Sequence, residues 1–304
     1  MKSSYELEGV TWVDVESPTA EEISELNEQF KLGPLLADEL MRPSQKPHVD
    51  LYPDFAYAVL HFPALRQTRG NSVSQEVDII IGKGFIISVY YEPVAALLDF
   101  SRSFEATTLM KRVTGKLHSG HVLFEIIERL YAGVENELEA IEDSIVAIER
   151  TLFQGREREM LSAISEVSRE LLVHKRTLGT HREILDSFEQ AGTSLFGENF
   201  RNYFRGMTAL HFRVYNKALG FIDTLTELRN TNDSLLSARQ NEIVKNLTLV
   251  ASLLLPLTLI SQLFSMNTRF TPLLGYPGDF WVVTGLMAAV GLVLFAYFKI
   301  RKWF

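Results

Sequence analysis

LTLVASLLLPLTLISQLFSMN, Leu247 to Asn267, is the stretch that decides the architecture. Its first eighteen residues, Leu247 to Phe264, carry no charge, and at ~1.5 Å per residue they make about 27 Å of helix, enough to cross a bilayer core. A second uncharged stretch, nineteen residues from Phe280 to Phe298, follows, and then Lys299-Ile300-Arg301-Lys302-Trp303-Phe304. The expectation is a membrane protein with two C-terminal spans behind a large water-soluble part.

Charge divides at the same point. Arg269, Asp279, Lys299, Arg301 and Lys302 give the residues from Leu247 onward a net +3, so a total of −8 places −11 on the residues before them. So acidic a soluble part argues against nucleic acid as a partner and suits a surface that gathers cations. There are no cysteines, hence no disulfide and no thiolate metal site. Met1-Lys2-Ser3-Ser4-Tyr5-Glu6 has no apolar core, so no signal peptide is expected. Lys245 before the first span and Lys299, Arg301 and Lys302 after the second outweigh Arg269 in the connecting loop. By the positive-inside rule both termini are expected in the cytoplasm, with the chain in the cell's inner membrane. Trp281 and Trp303 near the two ends of the second span suit the membrane interface.

Working back toward the N-terminus, residues 1–115 read as a cytoplasmic α/β domain. Strand-like runs occur at Val10 to Val15, Phe55 to Phe62, Val77 to Ile81 and Phe85 to Tyr90, with a helix at Thr19 to Phe30 behind Ser17-Pro18-Thr19. Turns are marked by Arg42-Pro43-Ser44, Tyr52-Pro53-Asp54, Arg69-Gly70-Asn71 and Gly82-Lys83-Gly84; the last lies between two strands and is no phosphate loop. Residues 116–246 read as a cytoplasmic helical stalk. Leu123, Ile127, Leu130, Val134, Leu138, Ile141, Ile145, Ile148 and Leu152 alternate spacings of three and four, a coiled-coil-like seam closed by Gln154-Gly155. A second helix is expected from about Glu157 to Gln190, with Leu161, Ile164, Leu171, Leu178 and Leu185 on its apolar side, and one helix from about 200 to 264. Glu135, Glu137, Glu139, Glu142, Asp143 and Glu149 fall on the outer side of the first stalk helix, as a solvated face or a cation-attracting one. The remaining segments are the first transmembrane helix (247–267), an external loop (268–279), the second transmembrane helix (280–298) and a basic tail (299–304).

Two spans alone enclose no pore, so conduction requires several copies around an axis. Asn241, Val244, Leu247, Ala251, Leu255, Thr258 and Gln262 form a stripe at spacings of three and four that mixes polar with aliphatic residues, either a pore lining or a helix-packing face. The second span, with Gly285, Ala288, Ala289 and Gly291, reads as a lipid-facing helix that packs through its small residues. His118 with His121, and His174 with His181, are spaced to share helix faces, but a pair of imidazoles without a third ligand is an incomplete zinc site. No arrangement of His, Ser and Asp, and no phosphate loop, points to an enzyme. No cofactor is expected.

Pro256-Leu257-Thr258-Leu259-Ile260, Leu263-Phe264-Ser265-Met266-Asn267, Gly275-Tyr276-Pro277 and the closing Tyr297-Phe298-Lys299-Ile300-Arg301-Lys302-Trp303 resemble the CorA family of magnesium transporters, which includes a ZntB-like zinc branch. The resemblance covers the chain and implies a homopentamer in the lipid bilayer that conducts divalent cations, Mg2+ first and Zn2+, Co2+ or Ni2+ as others, along five copies of the first span. It implies Ser265, Met266 and Asn267 at the pore entrance, with Asn267 holding the hydrated ion through its water. It further implies Thr258 as a second polar ring, Val244, Leu247 and Leu255 as apolar constrictions, Asn241 as the cytoplasmic exit, and Lys299, Arg301 and Lys302 as a basic collar. Neutral oxygens suit Mg2+, which gives up water reluctantly and leaves a ring of amides more readily than a ring of carboxylates. The chain departs from the family at three places. Ser265 replaces the Gly of Gly-Met-Asn, the loop after Asn267 carries Arg269 in place of acidic residues, and Gly206 follows Tyr203-Phe204-Arg205 where magnesium-gated relatives have a regulatory aspartate. Those departures leave a zinc transporter, with or without coupling to protons, and a non-conducting membrane-tethered scaffold or sensor as alternatives.

Overall fold

In the computed structural model, residues 1–44, 46–64, 73–110, 118–154, 156–266 and 278–301 are described, and the chain forms two compact units, Met1–Asn230 and Thr231–Phe304. The first unit is built on a six-stranded sheet. Its strands are β1 (Lys2–Leu7), β2 (Val10–Glu16), β3 (His48–Leu51), β4 (Phe55–Pro63), β5 (Ser74–Gly82) and β6 (Phe85–Tyr90), in the order β1-β2-β6-β5-β4-β3. Neighbours are antiparallel except β2 and β6, which run parallel.

The four strands anticipated from apolar runs are the four inner ones. The edge strands β1 and β3 were not anticipated, because KSSYEL and HVDL are short, half polar and only partly buried. Glu8 and Gly9, both at positive φ, make the two-residue turn that joins β1 to β2. Lys83-Gly84 turns β5 into β6, as the register Gly82↔Phe85 requires. The expected turn at Arg69-Gly70-Asn71 lies outside the described residues.

One face of the sheet is covered by α1 (Ala20–Phe30) and α2 (Pro34–Glu39), which bury Ile23, Leu26 and Leu36 against Val13, Tyr57, Val59, Ile80 and Ile87. Thr19 starts α1 with a reciprocal cap: its hydroxyl accepts from Glu22 N at 3.2 Å, and the Glu22 carboxylate accepts from Thr19 N at 3.0 Å. On the other face Trp12 packs on Tyr5 and on Phe100 and Phe104 of α3 (Ala95–Met110).

A buried polar chain runs beneath that aromatic cluster. Trp12 Nε1 donates to Ser88 Oγ at 3.0 Å, Ser88 donates on to Asp14, and the Tyr90 hydroxyl donates to Asp14 Oδ2 at 2.9 Å. Burial outweighs these bonds and pushes the Asp14 carboxyl up to about 6. A folded-state value above the unfolded 3.8 means that Asp14 favours the fold fully below pH 3.8 and loses that contribution as pH rises through 6. The difference is on the order of 3 kcal/mol. Asp14→Asn is therefore expected to flatten the fall in stability between pH 4 and 7; denaturation midpoints of parent and variant at pH 4 and pH 7 check this, and parallel pH profiles would contradict it.

The helical part begins with α4 (Ser119–Leu152), and all nine seam residues from Leu123 to Leu152 are buried. The second helix differs from expectation. It is two helices, α5 (Glu157–Gly179) and α6 (His181–Phe196), broken at Thr180, and it ends at Gly197 rather than at Ala191-Gly192-Thr193. The break seats His181, fully buried, where its Nδ1 accepts from the Tyr131 hydroxyl at 2.8 Å and its Nε2–H donates to the His61 carbonyl at 2.6 Å. Leu161 is exposed rather than part of the apolar side, whereas Ile164, Leu171, Leu178 and Leu185 are buried. A single helix, α7 (Arg201–Ser265), carries the chain from one unit into the other, close to the expected span. Glu135, Glu139 and Glu142 are not simply solvated: Arg213 of α7 lies 2.8 Å from Glu135, and Lys217 lies 4.0 Å from Glu139 and 3.6 Å from Glu142.

Neither histidine pair is arranged as a metal site. His118 caps α4, its Nδ1 accepting from Gly120 N, and lies tilted against the Phe200 ring, while His121 bonds the Tyr203 hydroxyl. His174, on α5, hydrogen-bonds the Glu170 carbonyl, and His181 opens α6, so the two lie on different helices.

Candidate functional site

The second unit holds α7 from Thr231 onward and α8 (Asp279–Ile300), the two described helices long and apolar enough to cross a membrane. Within α7 the residues sort onto two sides. Leu249 is buried and Ser252, Leu253, Pro256, Leu257, Ile260 and Phe264 are half-buried. On α8, Val283, Met287, Val290, Gly291 and Leu294 are half-buried and Phe298 is buried, at spacings of three and four. The two sides meet where Leu257 Cδ2 lies 4.0 Å from the place a side chain on Gly291 would occupy. Gly285, Ala288 and Ala289 are exposed, so of the four expected small residues only Gly291 lies on the packed side. The rest of that side is large and aliphatic.

Asn241, Val244, Leu247, Ala251, Leu255, Thr258 and Gln262 are all exposed. At ~100° per residue they fall on one side of α7, roughly opposite the Leu249 to Phe264 side that is covered. Thr248, Val250, Leu254, Leu259, Ser261 and Leu263 are exposed as well, so all of this part of α7 except the Leu249 to Phe264 side is open. Thr258 donates its hydroxyl hydrogen to the Leu254 carbonyl at 2.8 Å. Its oxygen therefore faces outward as an acceptor, the polarity a hydrated cation requires. Thr248, one turn beyond Val244, donates to that residue's carbonyl in the same way, at 2.7 Å.

Pro256 lies inside the helix and has no N–H, so the Ser252 carbonyl lacks its ordinary helical donor. Ser265 closes α7 and Met266 follows it, both exposed. Among the described non-glycine residues only Glu8, Ser17 and Lys31 have positive φ, so Ser265 stands where glycine is expected without backbone strain. Lys299 and Arg301 end α8 exposed to solvent, with the Arg301 guanidinium 5.8 Å from the Tyr297 ring. Asn267, the loop with Arg269, Lys302 and Trp303 lie outside the described residues.

Gly206 sits in the first unit against Phe124: a Cβ there would meet Phe124 Cε2 at 2.7 Å. An aspartate at this position would require the ring to move. The space that a regulatory carboxylate would need is filled by an aromatic side chain. Sequence reasoning missed this, and it missed the polar contacts of His181, because neither Phe124 nor Tyr131 and His61 stands near its partner in the chain.

The family model described as CorA-like Mg2+ transporter protein matches residues 8–301. The cobalt/magnesium transport protein CorA of Thermotoga maritima is 24% identical over 294 residues, 96% of this chain and 83% of the relative. Among solved structures, the CorA magnesium transporter from Methanocaldococcus jannaschii superposes with a TM-score of 0.84 at 19% identity, over 97% of this chain and 92% of that one. The ZntB cytoplasmic domain from Vibrio parahaemolyticus gives a TM-score of 0.54 at 14% identity, over 76% of this chain and 90% of that one. At such identities these two likenesses speak for the fold alone. The family match runs over almost the whole chain and includes both apolar helices, and by it the protein belongs to the CorA-like Mg2+ transporter family.

Proposed function

We propose that this protein conducts divalent cations, Mg2+ in preference, through a homopentameric pore lined by the exposed stripe of α7, with both termini on the cytoplasmic side of the inner membrane. The observation that carries the reading is the opposition of the two sides of α7, one covered by α8 and the other uncovered along Asn241, Val244, Leu247, Ala251, Leu255, Thr258 and Gln262. In this reading 247–267 is the pore helix and Asn267 forms the outer ring, accepting from the ion's water. Thr258 is the second polar ring, and Val244, Leu247 and Leu255 close the lumen by excluding water. Lys299, Arg301 and Lys302 form a cytoplasmic collar. Gating by cytoplasmic Mg2+ at position 206 is not part of the proposal, because Phe124 fills that space.

Uptake of Mg2+ and Zn2+ into proteoliposomes containing the purified protein tests the reading, with Ser265→Gly measured beside the parent. Since Ser265 ends α7 without a left-handed φ, the variant is expected to conduct within about twofold of the parent, glycine adding only ~0.5–1 kcal/mol of helix-end flexibility. Conduction by the variant alone would mean that the pore of this chain is shut, in favour of a membrane-tethered scaffold. Arg269, within a stretch from Thr268 to Leu274 that has no acidic residue, favours a zinc-transporting second reading. Faster Zn2+ uptake that responds to an imposed pH gradient would establish it, and a Mg2+ preference without pH dependence would remove it.

A further inference from the structure

The end of α2 and the edge strand β3 bring Glu39, His48 and Asp50 together, with one ligand atom from each lying within 4.8 Å of the others. The grouping follows from the local fold: Glu39 is the last residue of α2, and His48 and Asp50, two apart on β3, point to the same side of the sheet. His48 Nε2 lies 3.1 Å from Glu39 Oε1 and 3.7 Å from Asp50 Oδ2. The other ring nitrogen, Nδ1, is 3.1 Å from the Lys46 carbonyl. A carbonyl only accepts, so Nδ1 carries the hydrogen and Nε2 is the atom turned toward the two carboxylates. A metal ion placed between Nε2 and the carboxylates would take a lone pair from each of the three side chains. A backbone-held Nδ1–H is also the outer hydrogen bond that fixes the ring of a metal-ligating histidine.

The size of the cluster discriminates further. Ligand atoms ~2.1 Å from a four- or six-coordinate ion stand about 3.0–3.4 Å apart. The His48–Glu39 distance already fits, and the Asp50 carboxylate, about half exposed, is free to move inward to join them. A separate feature lies beneath the cluster. Tyr57, the cross-strand partner of Asp50, makes a T-shaped contact with His48 at 5.5 Å between ring centroids, and its hydroxyl is buried beside the Asp78 carboxylate.

We propose that Glu39, His48 and Asp50 bind a transition-metal dication of the Zn2+, Co2+ or Ni2+ class, with water completing its shell. Imidazole with two carboxylates favours these ions over Mg2+, which prefers oxygen ligands throughout and keeps its own water. The site is chemically unlike the neutral stripe on α7, and an ion here would tie the end of α2 to the sheet edge.

Co2+ reports on the site through its visible absorption. Titrated into the purified full-length protein, Co2+ is expected to give a spectrum that saturates at one ion per chain, that Zn2+ removes and that a large excess of Mg2+ leaves in place. His48→Gln is expected to weaken this binding at least tenfold, and Asp50→Asn, at an exposed position without consequence for folding, to weaken it in the same direction. Asn267→Ala is expected to leave the spectrum unchanged, which keeps the result independent of the pore. Identical titrations for the parent and both cluster variants, no saturable spectrum in the parent, or a spectrum lost in Asn267→Ala would each overturn the proposal.

Discussion

Asn267→Ala is expected to lower Mg2+ uptake into proteoliposomes at least about tenfold, since the loss of a single charge-assisted hydrogen bond worth ~1.5 kcal/mol already corresponds to that factor. In a ring of subunits the substitution removes that bond from every copy at once. Alanine offers no oxygen to the ion's water, so a hydrated ion meets an apolar mouth and must enter without compensation for the shell it cannot shed. The amount of protein in the vesicles and its oligomeric state by size-exclusion chromatography serve as controls. Unchanged flux at equal protein would remove Asn267 from the conduction path.

The second large effect concerns stability and arises in the first unit. His181 is held neutral between a hydroxyl that donates to it and a carbonyl that accepts from it, and burial pulls its pKa down to about 3. The folded state refuses a proton that the unfolded state takes up near 6.5, so this contribution is complete above pH 6.5 and is lost as pH falls toward 3. The loss is on the order of 5 kcal/mol. His181→Gln keeps one donor and one acceptor but cannot titrate. The variant is therefore expected to show a shallower fall in denaturation midpoint between pH 6.5 and 4 than the parent, and an equally steep fall in both would contradict the assignment. Asp14 acts with the opposite sign over an overlapping range, so the two variants need separate profiles.

Much of the fold was legible because burial follows periodicity. The nine-residue seam of α4 could be read residue by residue, as could the inner strands, whose apolar runs are long enough to stand out. The edge strands could not. β1 and β3 bury few of their side chains, and their pairing depends on the Glu8-Gly9 turn and on register with β4 rather than on composition. The break between α5 and α6 was hidden for a related reason: the apolar spacing continues across Thr180, and the tie that fixes His181 comes from residues 50 and 120 positions away.

The candidate site was legible to a different degree. Spacing alone places Asn241 to Gln262 on one side of a helix, but it does not say whether that side is covered. The structure supplies this by packing Leu249 to Phe264 on the other side against α8. The pairing of Arg213 and Lys217 with the acids of α4 was invisible for the converse reason, since the two partners are separated by more than 70 residues. Such exposed pairs add little to stability, about 0–1 kcal/mol each.

The chain's lack of cysteine gives direct access to the central claim, that the uncovered side of α7 lines the conduction path. Single cysteines at Leu255 and Thr258, on the stripe, and at Leu253 and Ile260, on the covered side, would be reconstituted and their Mg2+ uptake measured before and after a charged thiol reagent. The account predicts that the reagent blocks uptake through the Leu255→Cys and Thr258→Cys proteins and leaves the Leu253→Cys and Ile260→Cys proteins conducting. Block confined to the covered side, or no uptake by the unmodified protein, would contradict it.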